Sequence, residues 1–211
     1  MTHATVHLLR HGEVFNPRRV LYGRLPGFGL SDLGIAQAKL AAEFLAPHDV
    51  GYLACSPLER AQQTAAPLAA ALGLDVVLDE RLIEAANHLE GRVLAGGKGL
   101  FTDPGNWKYF LNPFRPSWGE PYAEIAERVL AAARTARDGA GAGKQAICVS
   151  HQLPIVIARR AAEGRRLFHD PRKRQCSLAS VTSLTFDGDD IVAVDYAEPA
   201  AMLPPGHGAG A

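Results

Sequence analysis

The stretch Leu8-Leu9-Arg10-His11-Gly12-Glu13 marks the end of a strand close to the start of the chain. The run Thr5–Leu9 is typical of a short buried strand, and Gly12 then releases the backbone into a loop. Arg10 and His11 therefore fall at the carboxyl end of this strand, where open α/β sheets bind their ligands. An isolated Arg-His-Gly tripeptide can also be a hydrogen-bonded histidine beside a surface arginine, so it does not define a function by itself.

Three further residues, Arg60, Glu84 and His151, each follow a short apolar run further along the chain. We expect these runs to be strands of one sheet, which would bring the three side chains to the edge that carries Arg10 and His11. Arg60 falls in the first turn of a predicted helix, where a cation opposes the helix dipole. An anion in front of that turn would remove the conflict, so Arg60 favours a phosphate site.

At these residues the sequence resembles the histidine phosphatase superfamily, in its phosphoglycerate mutase-like branch, and the resemblance extends to about Tyr196. It implies a three-layer α/β/α sandwich with a mostly parallel central sheet, helices on both faces and an antiparallel C-terminal edge. The chain departs from the family pattern at three positions. Asn16 arrives one residue early after the histidine, Gln152 stands where glycine is usual, and Pro121 stands where serine is usual.

The resemblance and the chemistry of the side chains together predict a phosphoryl-transfer site. A neutral His11 nitrogen would attack phosphorus, while Arg10, Arg60 and His151 would surround the equatorial oxygens in place of a divalent metal. A protonated Glu84 would donate to the departing alkoxide and then accept a proton from water. The predicted site residues are as follows: catalytic His11, Glu84 and His151; phosphate-binding Arg10, Arg60, Asn16 and Gln152; and, in the loop after His11, the substrate contacts Tyr22 and Arg24.

Composition excludes several other classes of function. Lys plus Arg and Asp plus Glu both number 22, so no global field attracts nucleic acid or an anionic membrane, and the expected partner is a small phosphorylated substrate. No apolar run approaches the roughly 18 residues of a membrane span. The three cysteines lack metal or redox spacing, and with no signal peptide they favour a reducing cytoplasm. We expect no metal or cofactor.

Local patterns predict the remaining elements within one domain, residues 1–196. Ser31 should cap a helix to about Leu45, and Ser56-Pro57-Leu58-Glu59 reads as a capping box for a helix that Gly73 ends. The other predicted elements are strands 52–55, 75–78 and 146–150, a helix that the segment 117–124 opens and that runs to about Arg137, a helix 153–163, and a hairpin of 181–186 with 191–196. That hairpin offers an edge for a homodimer.

Two segments have less defined patterns. The glycine- and aromatic-rich stretch from about residue 88 to 120 is either a lid over the site or an ordinary covering subdomain. The tail 197–211, rich in Ala, Pro and Gly, is predicted to be disordered.

Two classes of activity and one binding function fit these residues. The leading hypothesis is a metal-independent phosphomonoesterase that acts on a small phosphorylated metabolite through a phosphohistidine. The alternative is a phosphoglycerate mutase-type transfer, but the family's cofactor-dependent mutases carry a longer insert than the segment Glu84–Glu120 provides. A non-catalytic phospholigand-binding module would need only the cations, and therefore neither His11 nor Glu84.

Overall fold

A computed structural model describes residues 3–93 and 119–203 of the chain. These residues form six strands: β1 Ala4–Arg10, β2 Val50–Cys55, β3 Val76–Leu78, β4 Gln145–Ser150, β5 Val181–Asp187 and β6 Asp190–Ala197. They also form four α-helices: α1 Asp32–Leu45, α2 Glu59–Leu72, α3 Tyr122–Ala140 and α4 Gln152–Ala162. Short 3-10 turns lie at Glu80–Leu82 and Pro171–Lys173.

All six strands belong to one sheet in the order β3-β2-β4-β1-β5-β6. The first four strands in that order are parallel, and β5 and β6 add an antiparallel edge beside β1. The predicted fold, with its mostly parallel sheet and antiparallel C-terminal hairpin, is therefore confirmed. The homodimer expected at the outer edge, β6, stays a prediction.

Helices cover both faces of the sheet because the central strands are apolar on both sides. Leu8 and Cys148 face a core formed with α3 and α4, whereas their neighbours Leu9 and Val149 face a core formed with α1 and α2. β1 and β4 lie in the middle of this three-layer arrangement, so their carboxyl ends are enclosed rather than peripheral. None of the helices in the described ranges is long and apolar enough to cross a membrane.

Two predictions from local sequence patterns concern the start of α2 and the C-terminal tail 197–211. Ser56 does not cap α2: the N-cap is Leu58, without a side-chain cap hydrogen bond, so the predicted capping box is wrong. The Ser56 hydroxyl instead bonds His151, the residue directly after β4. In the predicted disordered tail, Ala197 ends β6 and Ala200 is buried in the core on the α1 and α2 face. Residues 204–211, like residues 94–118 of the predicted lid, lie outside the described residues.

The loop after β1 lies directly against the first turn of α1, and this close approach is possible because two glycines there have no side chain. A Cβ on Gly12 would lie 2.4 Å from the Gly34 carbonyl oxygen, and a Cβ on Gly34 would lie 2.0 Å from the Glu13 carbonyl oxygen. The Ser31 hydroxyl caps α1 and also donates to the Glu13 carboxylate. This backbone-to-backbone contact fixes the path of the chain immediately after His11.

The contact predicts the effect of Gly34→Ala. Helix propensity alone would stabilise the variant by about 1 kcal/mol. We expect the overlap with the Glu13 backbone to outweigh that gain and to lower the free energy of unfolding by about 1–3 kcal/mol, measured by urea denaturation. Gly29→Ala is the control, because its Cβ would meet only the movable side-chain ends of Glu59 and Gln63. Greater stability in Gly34→Ala would contradict the close approach.

Candidate active site

The register of the three central strands brings their last residues to one level. Arg10 of β1 pairs with Ser150 of β4, and Cys55 of β2 pairs with Val149. The next amides along β1 and β2 continue this pairing, since the amide of His11 donates to Ser150 and the amide of Ser56 donates to Val149. As a result His11 and His151 are neighbours, with ring centroids 5.1 Å apart.

His11 is fully buried and its ring orientation is fixed. Its Nδ1 lies 2.7 Å from the Gly12 carbonyl oxygen, which can only accept, so Nδ1 carries the proton. Burial and the nearby charges of Arg60 and Arg10 hold the pKa of the imidazole well below its usual value. The ring is therefore neutral near pH 7, and Nε2, which has no hydrogen-bond partner among the described residues, presents its lone pair.

Arg10 and Arg60 are buried cations that form no salt bridge with any described residue. Arg10 donates to the Cys176 carbonyl oxygen at 2.6 Å, and Arg60 donates to the Gly23 carbonyl oxygen at 2.7 Å. The remaining buried donors, Nε and Nη2 of Arg10 and Nε of Arg60, have no partner. Buried charges are normally paired, so two guanidinium groups held with open donors form a site for an anion.

His151 is the second buried imidazole, and it is oriented by Ser56. Its Nε2 lies 2.7 Å from the Ser56 hydroxyl oxygen. That oxygen accepts from the Leu58 amide, and because no other described residue accepts the hydroxyl hydrogen, the hydroxyl donates to His151 Nε2. In this arrangement the proton of the neutral ring is on Nδ1, an atom without a partner. Burial and the charge of Arg60 lower the pKa of His151 well below its ordinary value.

Glu84 supplies the one carboxyl group of the predicted constellation. Its Oε1 accepts from the Ala85 amide at 2.8 Å, and its buried Oε2 has no partner. Burial raises the pKa of this carboxyl group, and the lowering effects of the Ala85 amide, Arg60 and Arg10 only partly offset that rise. Glu84 is thus suited to hold a proton at a pH where an exposed carboxylate has lost it.

Two arginines fix the main chain that carries Glu84. Arg24 donates from Nε to the Glu84 carbonyl oxygen at 2.6 Å, and Arg128 donates to the Ile83 carbonyl oxygen at 2.8 Å. The Glu120 carboxylate accepts from both guanidinium groups, with distances of 2.7 to 3.0 Å. Arg24 therefore positions the predicted acid in this structure, and its predicted contact with substrate stays a prediction.

The buried polar atoms without partners collect at the predicted site. Of the seven such side-chain atoms in the described residues, six belong to Arg10, His11, Arg60, Glu84 and His151, and the seventh is the Thr182 hydroxyl. Buried polar atoms are almost always satisfied in folded proteins. A phosphate group would satisfy the arginine and His151 donors while its phosphorus faces His11 Nε2. None of the described His, Cys, Asp and Glu side chains form a cluster that could hold a metal ion.

Three other predicted phosphate or substrate contacts, Asn16, Gln152 and Tyr22, make contacts within the protein in this structure. The amide group of Asn16 bonds both the amide and the carbonyl of Val20, so in this structure it holds its own loop, and its predicted contact with phosphate stays a prediction. Gln152 is the first residue of α4, and its side chain lies 3.4 Å from the Cys176 carbonyl oxygen. The Tyr22 ring is buried 4.8 Å below the Arg60 guanidinium and supports it by a cation–π contact.

Sequence reasoning missed two supporting hydroxyl groups. Ser56 orients His151, and Thr64 donates to the Arg60 carbonyl while accepting from the Gly12 amide. Thr64 lies one helical turn after Arg60, a spacing that could have suggested a role. Ser56 gave no such signal because its position before Pro57 resembled a helix cap.

The chain is similar to several known proteins. Residues 6–199 match the family model of the histidine phosphatase superfamily (branch 1). The uncharacterized protein Rv0525 of Mycobacterium tuberculosis (strain ATCC 25618 / H37Rv) is 54% identical over 93% of this chain and 97% of its own length. The probable phosphoglycerate mutase GpmB of Yersinia pestis (strain Pestoides F) is 32% identical over 83% of each chain.

Among solved structures, the mycobacterial glucosyl-3-phosphoglycerate phosphatase Rv2419c in complex with VO3 is similar with a TM-score of 0.70. It is 26% identical, and the match covers 91% of this chain and 96% of that structure.

The two buried neutral histidines predict how stability depends on pH. Because the folded-state pKa values of His11 and His151 are depressed, their contribution is present above about pH 6.5 and is lost as the pH falls. We expect the free energy of unfolding to decrease from pH 7.5 to 5. The decrease should be smaller in His11→Asn/His151→Gln, by up to about 1.4 kcal/mol per pH unit for each histidine removed.

Urea denaturation at a series of pH values measures this slope. Glu84, whose pKa is raised, acts in the opposite direction, since its contribution is lost as the pH rises through its folded-state value. Glu84 is present in every variant compared, so it does not affect the difference. His3→Gln, which removes an exposed histidine, is the control for the loss of a histidine side chain as such. An unchanged slope in the double variant would show that the two rings do not remain neutral in the folded protein.

Proposed function

This chain belongs to the histidine phosphatase superfamily, whose members are phosphatases or mutases, and we propose that it is a metal-independent phosphomonoesterase acting on a small phosphorylated metabolite. One observation carries the proposal. His11 Nε2 stands unpartnered among buried donors of two arginines and a second histidine, beside a buried carboxyl group with a raised pKa. A binding module would need the donors but neither the oriented nucleophile nor the protonated acid.

In the first step His11 Nε2 attacks phosphorus as the bond to the ester oxygen breaks. The open donors of Arg10 and Arg60 and the Nδ1–H of His151 bind the three equatorial oxygens, whose negative charge they stabilise. Glu84 gives its proton to the departing alkoxide, so a neutral alcohol leaves. The products are phosphohistidine on His11 and a Glu84 carboxylate.

In the second step water attacks the phosphohistidine. Glu84, now ionised, accepts a proton from that water, and the bond from phosphorus to His11 Nε2 breaks. Inorganic phosphate leaves and Glu84 is again protonated, so the enzyme returns to its starting state. The Gly12 carbonyl keeps the proton of His11 on Nδ1 throughout, which leaves Nε2 as the nucleophilic nitrogen in each turnover.

The size of the cavity beside Glu84 supports a small substrate, and the similarity to a known phosphatase supports hydrolysis. The cavity that Glu84 lines has a volume of about 100 Å³, which suits a small leaving group better than a folded protein. The similarity to a glucosyl-3-phosphoglycerate phosphatase favours hydrolysis. The similarity to a probable phosphoglycerate mutase makes phosphoryl transfer to a second substrate the competing activity. The three cysteines are unpaired and buried, consistent with the cytoplasmic location that forms part of this proposal.

The first experiment measures phosphate release from a panel of phosphomonoesters and phosphoglycerates in the presence of a chelator. We expect the wild type to release phosphate and His11→Ala to lose turnover, while the control His3→Ala keeps it. Interconversion of 3- and 2-phosphoglycerate upon addition of bisphosphoglycerate, without phosphate release, would identify a mutase. Tight substrate binding with no turnover in the wild type would identify a binding module.

The role of Glu84 predicts a dependence on the leaving group. An alkoxide needs a proton as it departs, whereas p-nitrophenolate is stable without one. We therefore expect Glu84→Gln to lower kcat/KM for an alkyl phosphate by about 10²- to 10⁴-fold and to lower it much less for p-nitrophenyl phosphate. The ratio kcat/KM reports the first chemical step, so a slower second step does not obscure the comparison. Equal losses for both substrates would rule out proton donation by Glu84.

A further inference from the structure

Arg174 lines the cavity that opens from the proposed proton donor, and the proposed mechanism does not use it. The cavity is bounded by Glu84, Asn87, Tyr122, Leu153 and Arg174, among others. Because Glu84 would protonate the ester oxygen, the leaving alcohol must lie on the Glu84 side of the phosphate site. This cavity is therefore the space into which that alcohol extends.

Among the described residues that line this cavity, one cation has no carboxylate partner. Glu120 also lines it, but its two oxygens already accept from the guanidinium groups of Arg24 and Arg128. Glu84 is neutral when it holds its proton. Arg174 forms no salt bridge with a described residue, and its Nε donates to the neutral ring of His169 at 2.9 Å. The described lining of the cavity therefore has a net positive charge at Arg174.

Arg174 is also held in place. His169 accepts from Arg174 and packs against the Tyr122 ring, with centroids 5.8 Å apart, and its Nδ1 contacts the Leu167 carbonyl oxygen. The Arg174 side chain is partly buried, and its charge acts on both Glu84 and Arg10. A fixed, partly buried guanidinium with donors left over is suited to bind an oxyanion in a fork.

We propose that Arg174 is a specificity-determining residue that selects phosphomonoesters whose alcohol part carries a second anionic group close to the ester oxygen. This inference rests on the proposed phosphatase activity. The anionic group is a carboxylate or a second phosphate, which offer Arg174 the same oxygen acceptors. The Arg10 and Arg60 pair binds the phosphate that is cleaved, and Arg174 binds the anion that stays with the alcohol.

Matched substrates test this assignment. Phosphoglycolate and ethyl phosphate differ by a carboxylate in place of a methyl group, and ethylene glycol bisphosphate and 2-hydroxyethyl phosphate differ by a second phosphate. We expect wild-type kcat/KM to favour the anionic member of one pair by about 10- to 100-fold, the range of a charge-assisted hydrogen bond. The pair that shows the preference identifies the anion. Arg174→Gln should reduce that ratio to its intrinsic chemical value, and because the ratio is taken within each pair, a general change in activity caused by the lost charge cancels.

Arg172→Gln is the matched control, since Arg172 lies in the same segment but its side chain is 88% exposed and paired with Asp170. Arg172→Gln should keep the preference. If Arg174→Gln does not fold, Arg174→Lys keeps the charge without the fork and should give an intermediate ratio. A wild type without preference, or a preference that survives Arg174→Gln, would overturn the inference while leaving the phosphatase proposal intact. A wild type that hydrolyses none of these esters, p-nitrophenyl phosphate included, would overturn both.

Discussion

Parallel pairing of β1 with β4 is the constraint on which the rest of the site depends. The pairing of Arg10 with Ser150 places the next residues, His11 and His151, side by side at the carboxyl ends of two central strands. A shift of one residue would turn these side chains to the opposite face of the sheet. The same shift would exchange Leu8 and Leu9 between the two cores, so the register that aligns the site also assigns each side chain of β1 to its layer of helices.

Burial sets the charge and protonation states of the side chains at this site. Two guanidinium groups without carboxylate partners are unfavourable in a protein interior, and here each is held by one backbone carbonyl and by packing. The same burial keeps both imidazoles neutral and favours the protonated form of Glu84. Desolvation thus sets the protonation states of the nucleophile and the acid and leaves the donors of the two arginines open, and a bound anion would satisfy those donors.

Much of the fold could be predicted from sequence because its signals are local. The strand β1, the Ser31 cap of α1 and the Gly73 end of α2 follow from neighbouring residues. Contacts that depend on strand register could not be predicted in this way. Ser56 resembled a helix cap because its bond to His151 spans 95 positions, and Arg24 resembled a substrate contact because its bond to the Glu84 carbonyl spans 60.

The central claim is that His11 Nε2 carries the phosphoryl group during turnover. Rapid acid-free quenching of the enzyme with a phosphomonoester, followed by mass spectrometry and phosphorus NMR, tests it most directly. The account predicts one phosphoryl group per active site, on Nε2 of His11, stable to alkali and labile to acid, and absent from His11→Ala. Phosphate release with no phosphorylated enzyme at any time, or a phosphoryl group on a residue other than His11, would contradict it.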